Sequence, residues 1–374
     1  MPAGHQLEGA PLASGGLPTP VNPSPPAKAR PTRRPEGQPQ QHIGPYAIER
    51  PLARGGMGEL YLGRNPRAGT LVLLKLPSPE LLGDIAAHAR FEREEQALRR
   101  LHHPGVQRWL DSGRDGLRPY VVLDYVEGET LRERLRRAGP LPVEEALRLG
   151  LALAEALAYC HEHGVVHRDL KPENVVLTPE GRPVLIDFGS VLLEGSRRLT
   201  FAQLSGELGT PEYMAPEQVQ GRRGDARTDV YALGTLLYEA LAGRPPFAAH
   251  PGESAVQIMR RHLEDVPPPI DRPDVSEALK GVLAKALARD PAARFQTMAA
   301  FQEALQDPPA AVARGEVIAG WPVLPAPAPA VPWAGPLDEP RSLRDWLRYC
   351  AVAALALAAL VLIGLLAAQL RPMP

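Results

Sequence analysis

Near its middle the chain reads His167-Arg168-Asp169-Leu170-Lys171-Pro172-Glu173-Asn174, and Asp187-Phe188-Gly189 follows shortly after. Between these segments an apolar run, a Pro-Glu-Gly turn and a second apolar run predict a tight hairpin over residues 175–186. The hairpin would bring Asp169, Asn174 and Asp187 to one side. Two carboxylates and an amide oxygen are hard ligands that suit Mg²⁺ carrying nucleotide phosphates. The stretch therefore predicts magnesium and phosphate chemistry, with one carboxylate left to orient an attacking hydroxyl.

Composition favours one folded domain, although 374 residues could hold two or three, because the 43 prolines crowd the two ends. The net charge of −1 gives no global field that would favour nucleic acid or an anionic membrane. Two cysteines cannot form a disulfide framework, which suits a reducing compartment. Arginine is common and lysine is rare, yet Lys75 and Lys171 are lysines, as expected where a compact ammonium contacts phosphate.

A glycine-rich turn separates two predicted strands, Tyr46–Leu52 and Leu60–Leu62. The turn reads Ala53-Arg54-Gly55-Gly56-Met57-Gly58-Glu59, and glycines let backbone N–H groups close over phosphates. Dinucleotide-binding folds also use glycine-rich turns, but there a helix follows the turn. Here a strand follows, which argues against a dinucleotide fold.

A predicted buried strand ends at Lys75, which by itself is no more than a charge at a strand end. A helix predicted over Asp84–Leu101 places one acidic residue among apolar ones on a single face: Phe91, Glu94, Leu98 and Leu101. A charge on an apolar face is costly unless it is paired. We therefore expect Glu94 to pair with Lys75, with Glu92 or Glu95 as the alternative partners.

These segments resemble the protein kinase family, with its His-Arg-Asp-x-Lys-x-x-Asn loop and its Asp-Phe-Gly. The resemblance covers Tyr46 to Gln306, and residues 209–217 resemble the substrate-docking end of a kinase activation segment. Lys171 and Thr210 are typical of serine/threonine rather than tyrosine kinases. The resemblance implies a bacterial eukaryotic-like (Hanks-type) serine/threonine kinase that acts in signalling. Its implied fold class is α+β: a two-lobed protein kinase fold with a small β-rich lobe, a large mainly helical lobe and ATP between them.

The resemblance also implies the catalytic roles. Asp169 would accept the proton of the substrate hydroxyl or orient that hydroxyl, and Lys171 would steady the γ-phosphate. Asn174 and Asp187 would hold Mg²⁺. A nucleotide-binding pseudokinase that serves as a membrane scaffold is the alternative, but none of the five central polar residues is missing.

For ATP the resemblance implies that Lys75, held by Glu94, orients the α- and β-phosphates. Leu123 would lie behind the adenine, and the backbone of Asp124 and Val126 would bind its edge. The full implied ATP-binding set is Leu52, Ala53, Gly55, Gly56, Gly58, Leu60, Lys75, Glu94, Leu123, Asp124, Val126, Asn174 and Asp187.

The chain departs from the family pattern at three places. Ala53 replaces the family's first loop glycine, and Leu73 stands where an alanine usually roofs the adenine. Related bacterial kinases often carry two activation-loop threonines whose positions here are Ala202 and Leu204. Because Arg168 is a cation that activation-loop phosphate usually neutralises, we expect autophosphorylation on other hydroxyls: Thr200 or Ser205, with Thr210 left open.

Two helices of the large lobe carry further expectations. Asp229 is predicted to cap a strongly apolar helix and, by resemblance, to hold the backbone of the catalytic loop. A helix over Ser276–Ala288 leads to Arg294, expected to pair bidentately with Glu217. A zinc site is not favoured at the end of the helix that begins near Leu141, since only His167 could join the ligands there: Cys160, His161 and His163.

The ends of the chain read differently from its middle. Residues 1–45 are predicted to be a disordered proline-rich tail in which the arginines near residue 30 are solvated, although they could instead contact lipid or a partner. Residues 307–345 read as a Pro/Ala-rich linker. Residues 346–370 are predicted to be one C-terminal transmembrane helix around the charge-free run Cys350–Ala368; a buried soluble helix is the alternative. Three arginines precede it and put the kinase on the cytoplasmic side of a cell membrane: Arg341, Arg344 and Arg348.

The expected partners follow from these assignments. They are protein substrates with Ser or Thr hydroxyls, the membrane through the C-terminal helix, and a second copy of the chain for trans-autophosphorylation. No nucleic acid is expected.

Overall fold

The small lobe is an antiparallel sheet of six strands. The computed structural model describes residues 41–55, 58–79, 83–193 and 210–321, and the lobe occupies the first part of these. The sheet order is β1-β2-β3-β4-β6-β5. Its strands are β1 His42–Ile43, β2 Tyr46–Gly55, β3 Gly58–Arg64, β4 Leu71–Pro77, β5 Trp109–Asp115 and β6 Arg118–Asp124. One helix, α1 (Ile85–Leu98), lies between β4 and β5 in the chain.

Strand β4 shows why this sheet has two different faces. Val72, Leu74 and Leu76 are almost fully buried in a small apolar cluster on one face, and Lys75 lies on the other, because side chains alternate along a strand. Ile43 of β1 joins the cluster with 4 % of its surface exposed. Residues 42–43 are therefore a strand of the sheet and 44–45 its turn, and the prediction that the disordered tail extends to residue 45 is wrong.

The large lobe is built on two long helices, α3 (Val143–Glu162) and α5 (Ala226–Ala242). Helix α3 begins after Pro142 with two glutamates in its first turn and buries Leu149, Leu153 and Leu157. The helices of this lobe are α2 Leu131–Ala138, α3 Val143–Glu162, α4 Pro216–Val219, α5 Ala226–Ala242, α6 Ala255–Glu264, α7 Glu277–Ala286, α8 Met298–Gln306 and α9 Pro308–Ala313. Short strands accompany them: β7 Glu129–Thr130, β8 Val165–Val166, β9 Val175–Leu177, β10 Pro183–Leu185 and β11 Leu192–Leu193.

The hairpin predicted after the catalytic loop is present. Strands β9 and β10 pair antiparallel, with Val175 opposite Leu185. The amide of Ile186 then donates to the carbonyl of Asn174 at 2.9 Å, which continues the pairing beyond the strands. Asn174 and Asp187 are thus brought to the same end of the hairpin.

The start of α5 differs from its prediction. The N-cap is Asp225, whose carboxylate accepts from the amide of Arg227 at 2.9 Å, and the helix begins at Ala226. Asp229 lies inside the first turn and is fully buried. Asp229 is therefore not the cap; its carboxylate is directed to the catalytic loop instead.

The linker predicted from residue 307 does not begin there. Helix α9 follows directly, and Ala311 is fully buried. The next residues, 314–321, form what we call the C-terminal strap. Its Gly320 amide donates to Glu277 at 2.8 Å and its Trp321 indole donates to the carbonyl of Pro267 at 2.7 Å. Residues 307–321 are therefore packed on the large lobe and do not form an extended spacer.

The remaining sequence predictions about the chain ends lie outside the described residues. These are residues 1–40, the linker beyond Trp321 and the proposed span at 346–370. Within the described ranges, no helix combines the length and the apolar character needed to cross a membrane.

Candidate active site

Lys75 lies between two carboxylates. Its Nζ is 2.6 Å from Glu94 Oε1 and 2.9 Å from Asp187 Oδ1. The pairing of Lys75 with Glu94 is therefore confirmed. The alternative partners are engaged elsewhere, Glu92 with His88 at 3.2 Å and Glu95 with Arg99 at 2.8 Å.

Charge explains how these groups ionise. Burial alone would lower the pKa of Lys75, but Asp187 and Glu94 outweigh it and raise that pKa above its ordinary value. The ammonium of Lys75 in turn holds the pKa of Asp187 well below its usual range, against the effect of burial. The site thus keeps a lysine cation and an aspartate anion in contact at neutral pH.

The catalytic loop holds a second set of polar contacts. Lys171 Nζ is 2.9 Å from Asp169 Oδ2. Asn174 Nδ2 donates to the carbonyl of Asp169 at 2.8 Å and to its carboxylate at 3.2 Å. Three of the predicted catalytic residues are therefore in mutual contact, around the carboxylate expected to receive the substrate proton.

The donor set fits a magnesium ion. Because both contacts of Asn174 to Asp169 use its amide nitrogen, its side-chain oxygen remains available as a ligand. Asp187 adds a carboxylate, and such oxygen donors suit Mg²⁺, which usually keeps several waters and phosphate oxygens as further ligands. In the described part of the chain, no group of three or more His, Cys, Asp or Glu side chains is arranged to hold a metal by itself.

Strained backbone surrounds these groups. Among the described residues other than glycine, only Arg168 (φ 68°) and Asp187 (φ 62°) have positive φ. Such conformations are costly and persist only where the surroundings enforce them. Asp229 enforces the first by accepting from the amides of His167 at 2.9 Å and Arg168 at 2.8 Å. The expectation that Asp229 holds the catalytic loop is confirmed.

The three residues considered for zinc make separate contacts. His161 Nε2 is 2.7 Å from Asp229, while His163 Nδ1 is 2.8 Å from the carbonyl of Tyr159. Cys160 is fully buried, and burial raises the pKa of its thiol. His161 therefore contacts the aspartate that holds the catalytic loop, and His163 and Cys160 belong to the end of α3.

The glycine-rich turn is a hairpin between β2 and β3. Pairing continues to Gly55 opposite Gly58, and Ala53 faces Leu60 across the stem. Leu60 in turn pairs with Lys75 of β4, so the stem lies next to the lysine that is predicted to bind phosphate. Leu52, Ala53 and Leu60 are half-buried; Gly56 lies outside the described residues.

The strand that leads to the large lobe carries the predicted adenine residues. Leu123 is 2 % exposed and pairs with Leu73 of β4, which places the family departure at Leu73 beside it. The carbonyl of Asp124 accepts from Gln107 Nε2 at 3.0 Å, a contact the sequence did not predict. A carbonyl oxygen has a second lone pair for a ligand. Val126, two residues on, is half-buried.

The segment that resembles the substrate-docking end of a kinase is fixed by a half-buried arginine that the sequence did not predict. Thr210 precedes a short 3₁₀ turn, Pro211–Tyr213. Arg132 of α2 donates to the hydroxyl of Tyr213 at 2.7 Å and pairs with Glu239 at 2.5 Å and Glu173 at 2.7 Å. Glu239 also accepts from the Tyr213 hydroxyl. The segment is thereby tied to α2, α5 and the catalytic loop.

The predicted pair that closes the large lobe is present. Arg294 Nη1 and Nη2 donate to the two carboxylate oxygens of Glu217 at 2.9 and 2.8 Å. Both residues are buried, and Thr228 donates a further bond to Glu217 at 2.8 Å. The bidentate geometry expected from the sequence is confirmed.

The sequence was compared with protein families and with characterised proteins, and the matches are to protein kinases. Residues 46–308 match the protein kinase domain family model. A probable serine/threonine-protein kinase of Streptomyces coelicolor is 38 % identical over 266 residues, which cover 70 % of this chain and 39 % of that protein. The serine/threonine-protein kinase PknB of Mycolicibacterium smegmatis is 36 % identical over 266 residues, or 69 % and 42 % of the two chains. The match thus spans about two fifths of these relatives.

A solved structure shows the same fold. The crystal structure of the Mycobacterium tuberculosis PknI kinase domain is 32 % identical, with a TM-score of 0.55 over 72 % of this chain and 98 % of that one. The family match extends over most of the chain and includes every catalytic residue described above. The chain therefore belongs to the protein kinase family, among its bacterial serine/threonine members of the Hanks type.

Proposed function

We propose that this chain is a membrane-anchored serine/threonine protein kinase that transfers the γ-phosphate of ATP to Ser and Thr hydroxyls of proteins. The observation that carries the proposal is the contact of Lys75 with both Glu94 and Asp187. That contact joins β4, α1 and the segment after the hairpin in the arrangement that phosphoryl transfer requires. The bacterial relatives support the choice of serine and threonine.

The chain's own residues position the nucleotide. Lys75 binds the α- and β-phosphates, and Glu94 keeps its ammonium in place. Asn174 and Asp187 supply the oxygen ligands of a magnesium ion, which when bound shields the phosphate charge. Because little covalent chemistry falls to the protein, positioning and charge stabilisation provide most of the rate.

The acceptor side is built on the catalytic loop. Asp169 orients the substrate hydroxyl and receives its proton, and Lys171, 2.9 Å from that carboxylate, steadies the γ-phosphate. Asn174 holds the backbone of Asp169 through its amide nitrogen. The loop thereby sets hydroxyl and phosphate side by side.

Transfer of radiolabel from [γ-³²P]ATP with magnesium to a general protein acceptor tests the proposal, followed by acid hydrolysis and separation of the phosphoamino acids. Label on phosphoserine and phosphothreonine supports a kinase. A nucleotide-dependent thermal shift without any transfer would favour the pseudokinase scaffold instead. If neither a thermal shift nor transfer is observed, nucleotide binding is refuted as well.

Autophosphorylation of the activation segment is part of the proposal. The Nε atom of Arg168 is buried and has no hydrogen-bond partner among the described residues. Burial lowers the pKa of Arg168, the carboxylate of Asp229 raises it, and the cation of Arg223 lowers it. Two neighbouring cations favour an added phosphate, and Thr200 and Ser205 are the proposed acceptors. Mass spectrometry of active protein in which both are unmodified, with activity retained in the double alanine variant, would remove this part.

Membrane anchoring rests on sequence alone. The charge-free run Cys350–Ala368 has the length of a span, and the preceding arginines favour a cytoplasmic kinase. Alanines in the run permit close approach of two helices, so crowding at a surface would raise trans-phosphorylation. The anchor is proposed to localise the enzyme at the cell membrane.

A further inference from the structure

A buried carboxylate stands at the root of the glycine-rich turn. Glu59 is the second residue of β3, directly after Gly58, and only 1 % of its surface is exposed. A buried carboxylate is retained at low cost only if its charge is paired and its oxygens are hydrogen-bonded. The hydrogen-bond and ion-pair partners of Glu59 therefore indicate which parts of the sheet this carboxylate holds together.

The partners come from three strands around the turn. Arg118 Nη2, at the start of β6, is 2.6 Å from Glu59 Oε2 and also donates to the carbonyl of Pro77 at 2.8 Å. Arg54, in the strand before the turn, donates through Nε to Glu59 Oε1 at 2.6 Å. The hydroxyl of Tyr61 lies 3.2 Å from Oε2. We call Arg54, Glu59 and Arg118 the loop clamp.

The clamp crosses four neighbouring strands at the end of the sheet where the turn lies. Arg54 and Glu59 are a cross-strand pair of β2 and β3, Pro77 ends β4, and Arg118 begins β6. Both arms of the turn are thus tied to the strand that carries Lys75. Burial would raise the pKa of Glu59, but hydrogen bonds from Arg118 and Arg54 outweigh it and lower that pKa.

The clamp lies on the face of the sheet away from the nucleotide. Glu59 is paired with Leu76, whereas Leu60 is paired with Lys75. Since successive side chains of a strand point to opposite faces, Glu59 and Lys75 are on opposite sides of the sheet. Glu59 therefore acts on the turn from behind and does not touch the phosphates.

The turn also sits very close to β4. A Cβ atom on Gly58 would lie 2.4 Å from the carbonyl oxygen of Leu76, so the backbones can approach this closely only with glycine. The close approach of Gly58 to β4 and the buried charge of Glu59 thus fix neighbouring residues at the start of β3. The root of the turn at Gly58 is thereby fixed against β4.

We propose that Glu59 is a positioning residue for the nucleotide: through Arg118 and Arg54 it holds the glycine-rich turn at the height where its amides meet the phosphates. The inference rests on the proposed function, because it concerns the same ATP site. The turn covers the phosphates both before and during transfer. Loss of its positioning by Glu59 therefore weakens nucleotide binding equally in the ground state and in the transition state. The clamp therefore governs nucleotide affinity and KM rather than kcat.

The test compares Glu59→Gln with Glu49→Gln in the full-length chain. Glu49 makes an exposed pair with Arg64 at 2.8 Å on the same hairpin, at the end away from the turn, and is the matched control. Affinity is measured with MgADP by calorimetry, and KM and kcat for ATP separately. We expect Glu59→Gln to weaken ADP affinity and raise KM about tenfold, as for one lost charge-assisted hydrogen bond, with kcat within about threefold. Glu49→Gln should change neither affinity nor KM by more than about twofold.

Arg118→Gln and the double variant complete a double-mutant cycle. The double variant carries no unpaired Glu59 charge, so it remains informative if Glu59→Gln does not fold. We expect it to bind ADP about as weakly as Arg118→Gln alone, since both act through one contact. Wild-type affinity in the double variant, or a loss of thermal stability in Glu59→Gln with ADP affinity and KM within twofold of wild type, would overturn the inference.

ADP affinity does not depend on phosphoryl transfer. A wild-type chain that binds ADP without transferring phosphate would refute the proposed kinase activity while leaving the clamp testable. A wild-type chain that transfers phosphate, with Glu59→Gln unchanged in affinity and KM, would refute the clamp alone.

Discussion

At the scale of single residues, Lys75 decides whether the nucleotide site is assembled. Its ammonium pairs with Glu94, which is buried, and with Asp187, at 2.6 and 2.9 Å. Removing one partner from a buried ion pair leaves an uncompensated charge, which typically costs about 3–5 kcal/mol. The lysine is therefore the counter-ion that keeps α1 against the sheet, and in the proposed mechanism it also binds phosphate.

We expect Lys75→Met to abolish most phosphoryl transfer and to lower the unfolding temperature. The charge of Glu94 would lose its partner, and the phosphates would lose their ligand. Lys280→Met is the control, because among the described residues Lys280 forms its ion pair with the exposed Glu277 on its own helix, at 2.8 Å. Transfer assays and thermal unfolding check both variants. Near wild-type turnover in Lys75→Met would contradict the assigned role.

His262 predicts a pH dependence of stability. The side chain is buried between Tyr231 and Phe247, and burial, helped by Arg261, lowers its pKa to about 3. An unfolded histidine titrates near 6.5. Below that pH the unfolded chain binds a proton that the folded chain does not, so this contribution is complete above pH 6.5 and is lost as the pH falls toward 3.

The size of the effect follows from linkage. Between pH 7.5 and 5 the free energy of unfolding should fall by about 2 kcal/mol through this residue alone. His262→Gln should flatten that part of the curve, whereas the exposed His102→Gln should not. Urea unfolding at pH 7.5 and 5.0 measures the difference. Parallel pH curves for wild type and His262→Gln would sink the prediction.

Residues of the site differ in how far sequence could predict them. Glu94 was predictable because a charge among apolar residues at helical spacing needs a partner. Arg132 was not, since its partners are 41, 81 and 107 residues away and no local pattern marks them. Glu59 had one available signal, an acidic residue at the root of the turn, but its burial depends on Arg118, 59 residues on. Gln107 gave no signal at all.

At the scale of elements, the sequence predicted whether a segment forms a helix or a strand, but not the residue at which the element begins or ends. The hairpin after the catalytic loop, helix α1 and helix α3 follow from apolar spacing and turn residues. The cap of α5 was misplaced because two aspartates lie four residues apart, and only Asp225 has extended backbone. Either aspartate could cap a helix, but the carboxylate of Asp229 accepts hydrogen bonds from amides of the catalytic loop instead.

The C-terminal strap explains a glycine inside helix α7. An added Cβ at Gly281 would lie 2.1 Å from the carbonyl oxygen of Ile318 and 2.9 Å from Val317. Alanine is ordinarily preferred to glycine in a helix by up to about 1 kcal/mol. Here the glycine permits the strap to dock, which the sequence around residue 281 alone does not reveal.

We expect Gly281→Ala to lower the unfolding temperature by roughly 3–6 °C, because the strap must move away. Gly150→Ala is the matched control on α3, where the atoms nearest to an added Cβ would be the side-chain methyl groups of Leu237 at 2.9 and 3.0 Å. Those methyls can rotate aside, so a smaller loss is expected. A higher unfolding temperature for Gly281→Ala would show that the strap adapts or contributes nothing.

At the scale of the whole molecule, the kinase domain extends to the end of the strap. The family match ends at residue 308, yet Val317 is buried and Trp321 packs edge-on against Tyr238. A chain cut at residue 308 would expose these apolar surfaces of the large lobe. Any shortened form should therefore keep residues 307–321.

We expect a chain that ends at Pro340 to be a soluble kinase with its activity retained, because every described contact of the site lies before Trp321. The full-length chain should fractionate with membranes. Ultracentrifugation of cell lysates and transfer assays on both forms check this. Full-length protein in the soluble fraction, or a folded but inactive shortened chain, would contradict the proposed anchor.

The most direct test of phosphoryl transfer at this site is the turnover of Asp169→Asn, measured as label transferred from [γ-³²P]ATP to a protein acceptor, beside the control Asp271→Asn at an exposed position. Loss of a general base typically costs about 10²–10⁴-fold in rate. We predict a loss of that size for Asp169→Asn, with KM for ATP and the unfolding temperature little changed, and no loss for Asp271→Asn. Equal turnover of Asp169→Asn and wild type would contradict the assignment of this site as the catalytic centre.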